Sequence, residues 1–298
     1  GGRGRGVIFG GSTPSDYEKA INYITIATTG NAIDFGDPHT KNGFSSGMGS
    51  STRGIFKMGR GPGYSSRLDY VLFSSGGGIA EFGSDNGVSQ DSSASFSNDT
   101  RGCFGNGTGY DRKIQYITIA TTGDTSEFGE MSQGLYMGGG AGAASPTRGF
   151  FFGGRTPGGS YTNAIEYVTI ATTGNTTHFG DLTLARRALA ACASTTRAVM
   201  ASGSASSGTN IIDYITMATE GNAIDFGDIA NQDDGYGSGT SNQIRGVFSG
   251  SNDTSPNANS NVMDYVTIAT TGNATDFGDT TYASYLCAMT SDAHGGLG

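Results

Sequence analysis

Short apolar runs alternate along the chain with stretches rich in Gly, Ser, Thr and Asn. The clearest run is Tyr23-Ile24-Thr25-Ile26-Ala27, which is β-branched and aromatic throughout. Read as a strand, it carries Tyr, Thr and Ala on one face and two Ile on the other. Neither face is charged, so the strand is expected to be buried on both sides. No stretch keeps a helical period between breakers, so the elements are strands and tight turns.

The run belongs to a longer phrase at 23–37 that recurs. Its relatives start at Tyr70, Tyr116, Tyr167, Tyr214 and Tyr265. A second phrase, Thr-Arg-Gly-Val-Phe-like, is anchored by Arg5, Arg53, Arg101, Arg148, Arg197 and Arg245. The arginines step by 48, 48, 47, 49 and 48 residues, a pitch suited to propeller blades. Each unit offers four strands. Strand A is made of small residues, as at 188–194 or 43–49, which suits convergence on a narrow axis. Strand B follows the Arg, strand C holds the Tyr, and strand D is the Ala-Ile-Asp-Phe-Gly-Asp segment. Thr-Thr-Gly-Asn between C and D reads as a hairpin turn. The predicted fold is all-β: a six-bladed β-propeller with four antiparallel strands per blade.

The repeat starts and ends out of step. The chain opens at a B strand, 5–10, and carries a spare A strand at 285–291. Pairing the two would close the ring and remove both sheet edges. The propeller is expected to occupy 1–291. Residues 292–298 read as a tail or the start of a further segment, with His294 in the Arg register as a vestigial B strand. A truncated seventh blade is the rival reading. The opening Gly1-Gly2-Arg3-Gly4 reads as part of a longer or processed polypeptide.

Composition narrows the function. The 298 residues include 52 Gly, but also 16 Phe and 14 Tyr, too many aromatics for a disordered linker. A net charge of −9 argues against binding nucleic acid. No apolar run approaches the roughly 20 residues of a membrane span, so no membrane insertion is expected. Cys103, Cys192 and Cys287 match no zinc pattern and read as small buried residues. His39, His178 and His294 fall in unrelated registers. Asp233-Asp234 and Asn252-Asp253 read as ordinary acidic loops rather than cation sites. No enzyme, cofactor or metal is expected.

The unit resembles a divergent kelch repeat. Gly10-Gly11 and Gly153-Gly154 match the kelch diglycine, degraded elsewhere as in Ser249-Gly250. The six Tyr match the kelch Tyr, and Phe35, Phe82, Phe128, Phe179, Phe226 and Phe277 stand where kelch has Trp. The chain also resembles repeat-bearing virion proteins of marine tailed bacteriophages, through Thr196-Arg197, 213–216, 266–279 and Asp181-Leu182-Thr183. That resemblance implies a tail-fibre, tail-tip or capsid-appendage module on the virion surface. The implied partners are a host-cell glycan or protein, other virion structural proteins and further copies of the chain. A structural or decoration propeller, or a cellular extracellular lectin or adhesin, are the alternatives.

Strand alternation puts the A–B and C–D turns on one face and the variable B–C and D–A loops on the other. The variable face is expected to bind. Tyr17, Tyr64, Tyr110 and Tyr161, with Lys19, Arg67 and Arg112, are the candidate ligand-binding residues. Each of these tyrosines lies six residues before its core Tyr, which a structural role would also produce. The register arginines read as turn residues, paired with a carbonyl or with an acid such as Asp34, Asp225 or Asp276. A basic ring for an anion is their alternative reading.

Overall fold

The computed structural model describes residues 4–86, 91–136, 141–233, 235, 237–253 and 258–298. Six antiparallel sheets form a ring of blades. Blade 1 is ordered Ala288–Ser291, Arg5–Phe9, Ile21–Thr25, Ile33–Gly36, that is, A-B-C-D outward from the axis. The expected closure is present: Gly6 pairs with Ser291 and Phe9 with Ala288. A bridge from Ser12 to Tyr285 extends the contact. The A strands of the other blades are Ser46–Gly49, Ala94–Ser97, Gly142–Ala144, Ala190–Ala193 and Ser238–Ser241, and each packs on the next around the axis. Blade 5 departs from four strands. Asn252–Asp253 and Ala258–Asn259, from the B–C loop of blade 6, add a hairpin to its outer edge.

The apolar core lies between blades rather than within one. Phe9 of blade 1 stacks on Phe56 of blade 2 at 4.4 Å, with Val7, Met58, Val71 and Phe73 around them. Strand C is not buried on both sides as expected. Its Ile positions are buried, but its Tyr is half-buried and the Thr two residues on is exposed. The tyrosine face is covered by its own Arg and Phe. In all six blades the guanidinium lies 4.2–5.0 Å from the Tyr ring centre. The Phe of strand D meets the same Tyr edge-on at 5.7–6.1 Å.

Stacking leaves the edge of each guanidinium free to bond to the next blade. Arg5 donates to the carbonyl of Phe73, Arg53 to Ile119, Arg101 to Ile170, Arg148 to Met217, Arg197 to Ile268, and Arg245 back to Ile26. The cycle therefore closes. Of the two pairings expected for these arginines, the structure takes the turn carbonyl and not Asp34, Asp225 or Asp276. One or two charge-assisted bonds plus a cation–π contact at a half-buried site stabilise each joint by roughly 1–2 kcal/mol. With every register arginine held in a joint, none is available as a ring for an anion.

A second clasp involves the C–D turn. Gly123, Gly174, Gly221, Gly272 and Gly30 each donate to the carbonyl of the preceding blade's strand-D Phe. Asn175, Asn222, Asn273 and Asn31 accept from the residue two beyond that Phe. The turn read as a hairpin is therefore also an interblade contact, and it explains the glycine of Asp-Phe-Gly-Asp. A Cβ at Gly180 would lie 2.1 Å from the Gly221 carbonyl oxygen, and one at Gly83 2.1 Å from that of Gly123. Backbone cannot swing aside as a side chain can. Gly180→Ala is expected to part blades 4 and 5 and cost about 2–3 kcal/mol, read from the midpoint of chemical unfolding.

A third clasp, in blades 1, 4 and 5, uses the residue before the core Tyr. Asn22 accepts from the amide and hydroxyl of Thr281 (both 2.9 Å). Asp213 accepts from the same groups of Thr183 (3.2 and 2.6 Å), and Glu166 from those of Ser132. All three side chains are buried.

Candidate functional site

The six A strands enclose a channel holding a cavity of about 50 Å³, lined among others by Met48, Phe96, Cys192, Thr240 and Met289. That is room for a water or two, far below the few hundred Å³ of a ligand pocket. The cysteines are buried and unpaired, and burial pushes the Cys103 and Cys287 thiols up to about 12. They behave as small apolar residues.

On the A–B turn face the channel is covered by the C-terminal tail. Residues 294–298 do not form a vestigial B strand or start a seventh blade. Strand structure ends at Ser291, and Gly295–Leu297 is a single 3-10 turn. Only glycine fits here, because a Cβ at Gly296 would lie 1.9 Å from the Ser97 carbonyl oxygen. His294 Nε2 lies 2.9 Å from the Gly49 carbonyl, and Nδ1 accepts from the Gly296 amide at 3.2 Å. This arrangement satisfies the neutral ring, with its proton on Nε2. A proton on Nδ1 would face an N–H. Burial pushes the pKa below its ordinary 6.5, against Gly49, Asp99 and Asp292, which act upward. The detached tail takes up the proton more readily, so docking is complete above pH 6.5 and weakens as pH falls below it. Hydrogen exchange of 292–298 is expected to accelerate between pH 7 and pH 5 relative to the blade strands. His294→Gln should remove that difference. A shallow depression of about 360 Å³ adjoins the tail, between Ser194, Thr195, Thr196, Arg197 and Gln243. Most of its lining is the turn phrase shared among blades.

The opposite face carries the variable loops and all seven candidate residues, spread over blades 1–4. Tyr17 is half-buried and meets Phe44 edge-on at 6.4 Å. Tyr64 is 50% exposed, with the Arg60 guanidinium 5.2 Å over its ring. Tyr110 has a left-handed backbone, φ 58°, and is half-buried. Tyr161 is half-buried and pairs with Arg155 across the sheet. Lys19 is exposed. Arg67 is held by Asp69 (2.6 Å) and Glu81 (3.2 Å), and Arg112 by Glu130 (3.3 Å) and the Met131 carbonyl. The seven line the outer rim one blade at a time and do not converge.

Convergence occurs further in, at residues the sequence reading did not offer as ligand-binding. Just beyond the A–B pairing, each blade makes one more backbone contact around the channel mouth. Its outer partner stands seven residues after the register arginine: Ser12, Arg60, Thr108, Arg155, Ser204 and Asn252. The inner partners are Tyr285, Gly43, Asp91, Tyr136, Arg187 and Gly235. The scaffold position is the same six times, and the chemistry differs each time. The Arg187 guanidinium lies 5.2 Å over the Tyr136 ring, and the Tyr136 hydroxyl lies 3.4 Å from that of Ser92. Thr108 donates its hydroxyl to the Asp91 carboxylate. Beneath the mouth lie two buried ion pairs, Arg186–Asp213 (2.9 Å) and Lys57–Asp85 (3.2 Å).

Among the described residues, no group of three or more His, Cys, Asp and Glu is placed to hold a metal. Of the two acidic loops, Asp233 and Asp253 pair through their backbones, and Asp234 lies outside the described residues. No protein-family model matches the chain. No curated protein matches its sequence either.

Proposed function

We propose that the chain is a non-enzymatic binding module, a rigid propeller on a phage virion appendage. On this reading it engages a host-surface glycan or protein through its B–C and D–A loop face. One observation carries the reading. The positions shared by the blades, Arg, Tyr, Phe and the turn Gly-Asn, are all engaged in holding blade to blade. The positions that share a register but not a chemistry gather around one end of the channel. A scaffold with fixed joints and a varied rim is what recognition needs. The virion setting rests on the repeat phrases, and the binding role rests on the rim.

The test is attachment of the fluorescently labelled chain to a panel of bacterial cells. Exchanging the B–C loops of blades 1–4 for that of blade 5 should abolish attachment and leave the unfolding transition in place. Unchanged attachment would show that this face is not the binding face. A purely structural propeller would instead attach to no cell and bury the loop face against other virion chains.

A further inference from the structure

The third clasp has a partner position four residues after the strand-D Phe of the preceding blade. In blades 1, 4 and 5 that position supplies Thr281, Ser132 and Thr183, and each donates to the polar residue before the core Tyr. Gln115 of blade 3 bonds instead to the Asp85 carbonyl, and Asp69 of blade 2 accepts from Arg67. In blade 6 the polar residue is Asp264 and the partner position holds Ala230, which has no side-chain donor. Among the described residues nothing donates to the Asp264 carboxylate. Asp276 stands opposite it on strand D, so burial and a like charge both push its carboxyl upward. The carboxylate borders a cavity of about 30 Å³ in the joint between blades 5 and 6. Ser202 and Ser249, at or just past the ends of two B strands, put this cavity at the loop-face end of the joint. Ser251 lines it too, with apolar walls from Ile229, Phe248 and Val262, and no basic side chain is among its described lining residues.

We propose that this cavity is a subsite for a primary ammonium group on an unbranched carbon stem, held by Asp264 and the hydroxyls of Ser202, Ser249 and Ser251. The proposal rests on the reading of the loop face as the binding face, and names one group that face takes. An ammonium ion has three donors and no acceptor. It therefore meets a carboxylate and serine oxygens together and supplies the donor that Ala230 lacks. A charge-assisted bond to a carboxylate with no internal partner replaces nothing but water. The cavity has room for one water-sized group, so it admits the end of a chain and not a sugar ring. The stem leaves past Val262, which is 39% exposed. A metal ion is a poorer match, because Asp264 is the only carboxylate among the described lining residues. A lysine side chain and the aminoethyl end of a lipid headgroup carry the same group. The apolar walls favour the longer stem of lysine.

The test is a nuclear magnetic resonance titration of the full isotope-labelled chain. The probes are Nα-acetyl-lysine methylamide, ethanolamine, the norleucine analogue of the first, and tetramethylammonium. The lysine derivative should bind with a dissociation constant of about 1 mM and shift the amides at 202, 249–251 and 262–264. Ethanolamine should shift the same amides at higher concentration. The norleucine analogue lacks the charge and tetramethylammonium lacks the donors, so neither should shift them. Asp264→Ala should weaken lysine binding about tenfold. Unlike Asp213→Ala, it should leave the unfolding temperature no lower than that of the parent chain, since no internal bond is lost. Ala230→Thr restores the clasp donor, so it should also weaken binding and should raise the unfolding temperature. No shift with either amine, an equal shift with tetramethylammonium, or variants that bind like the parent would each overturn the subsite. Tighter binding of ethanolamine would keep the subsite and place the group on a lipid headgroup. If neither amine binds while loop exchange abolishes attachment, the subsite fails and the binding face stands. If the amines bind while loop exchange is silent, the loops of blades 1–4 fail and the subsite stands.

Discussion

Truncation after Ala283 is expected to abolish cooperative unfolding, leaving a chain that aggregates rather than a five-bladed ring. The deleted segment carries strand A of blade 1 and the tail. Without it, strand B at Arg5–Phe9 keeps strand C but presents an open edge towards the axis. An unpaired apolar edge is a template for association. The loss also strips buried Cys287 and Met289 from the joint between blades 6 and 1, and Ala288 from that between blades 1 and 2. A synthetic peptide of residues 284–298, added during refolding, should restore the transition by filling the vacant strand position. Calorimetry reads both results. A truncated chain that still unfolds in one sharp transition near the parent temperature would show that the ring does not need this closure.

Asp213→Ala should be the most damaging single substitution, at about 3–5 kcal/mol in the free energy of chemical unfolding. Asp213 and Arg186 are both fully buried and bonded at 2.9 Å. Removing the carboxylate leaves a guanidinium charge with no counterion in the interior. It also frees the amide and hydroxyl of Thr183, which clasp blade 4 to blade 5. Asp213→Asn keeps the acceptor for Thr183 and should cost less. The double variant Asp213→Ala with Arg186→Met should recover much of the loss, because the unpaired charge is gone. A double variant no better than Asp213→Ala alone would place the damage in the Thr183 bonds.

The ring and its closure were legible because they depend on counting. Arginines at a fixed pitch mark blades, and a chain that starts at strand B and finishes on strand A predicts its own seam. What a position does across the gap between blades was not legible in this way. A period fixes a residue within its unit and says nothing of the neighbouring unit. The glycine of Asp-Phe-Gly-Asp read as part of a strand, yet it is required by the next blade's turn carbonyl. The Thr of Asp181-Leu182-Thr183 was read only as part of a phrase, yet it is the donor to buried Asp213. The faces of strand C were counted from the Tyr onward, which left out the polar residue just before it. That residue is buried in five of the six blades and half-buried at Asp264. The diglycine read as degraded outside blades 1 and 4, yet Asn106-Gly107 and Ser202-Gly203 keep its conformation. The first residue has φ near +58°, as at Gly10 and Gly153.

The candidate site was legible to the level of its face. Tyr17 and its counterparts were chosen for standing out in the loops, and they proved to sit on separate blades. The mouth residues stand seven after each register arginine, where Ser, Arg, Thr, Arg, Ser and Asn follow one another. That register was visible in the sequence. A fixed offset was taken as a mark of structure, whereas here the backbone is fixed and the side chain varies. The vestigial-strand reading of His294 failed because register alone does not make a strand. Ser291 already closes the last pairing, and the glycine-rich tail turns over the channel instead.

The central claim is that shared positions join the blades and unshared mouth positions meet the ligand. Hydrogen exchange of the full chain, free and attached to envelopes of a bacterial cell that it labels, tests it most directly. The account predicts slower exchange at residues 58–64, 107–112, 154–161 and 184–188, with the C–D turns at 28–31, 172–175 and 219–222 unchanged. Protection at those turns with an unaltered mouth, or no change anywhere, would contradict it.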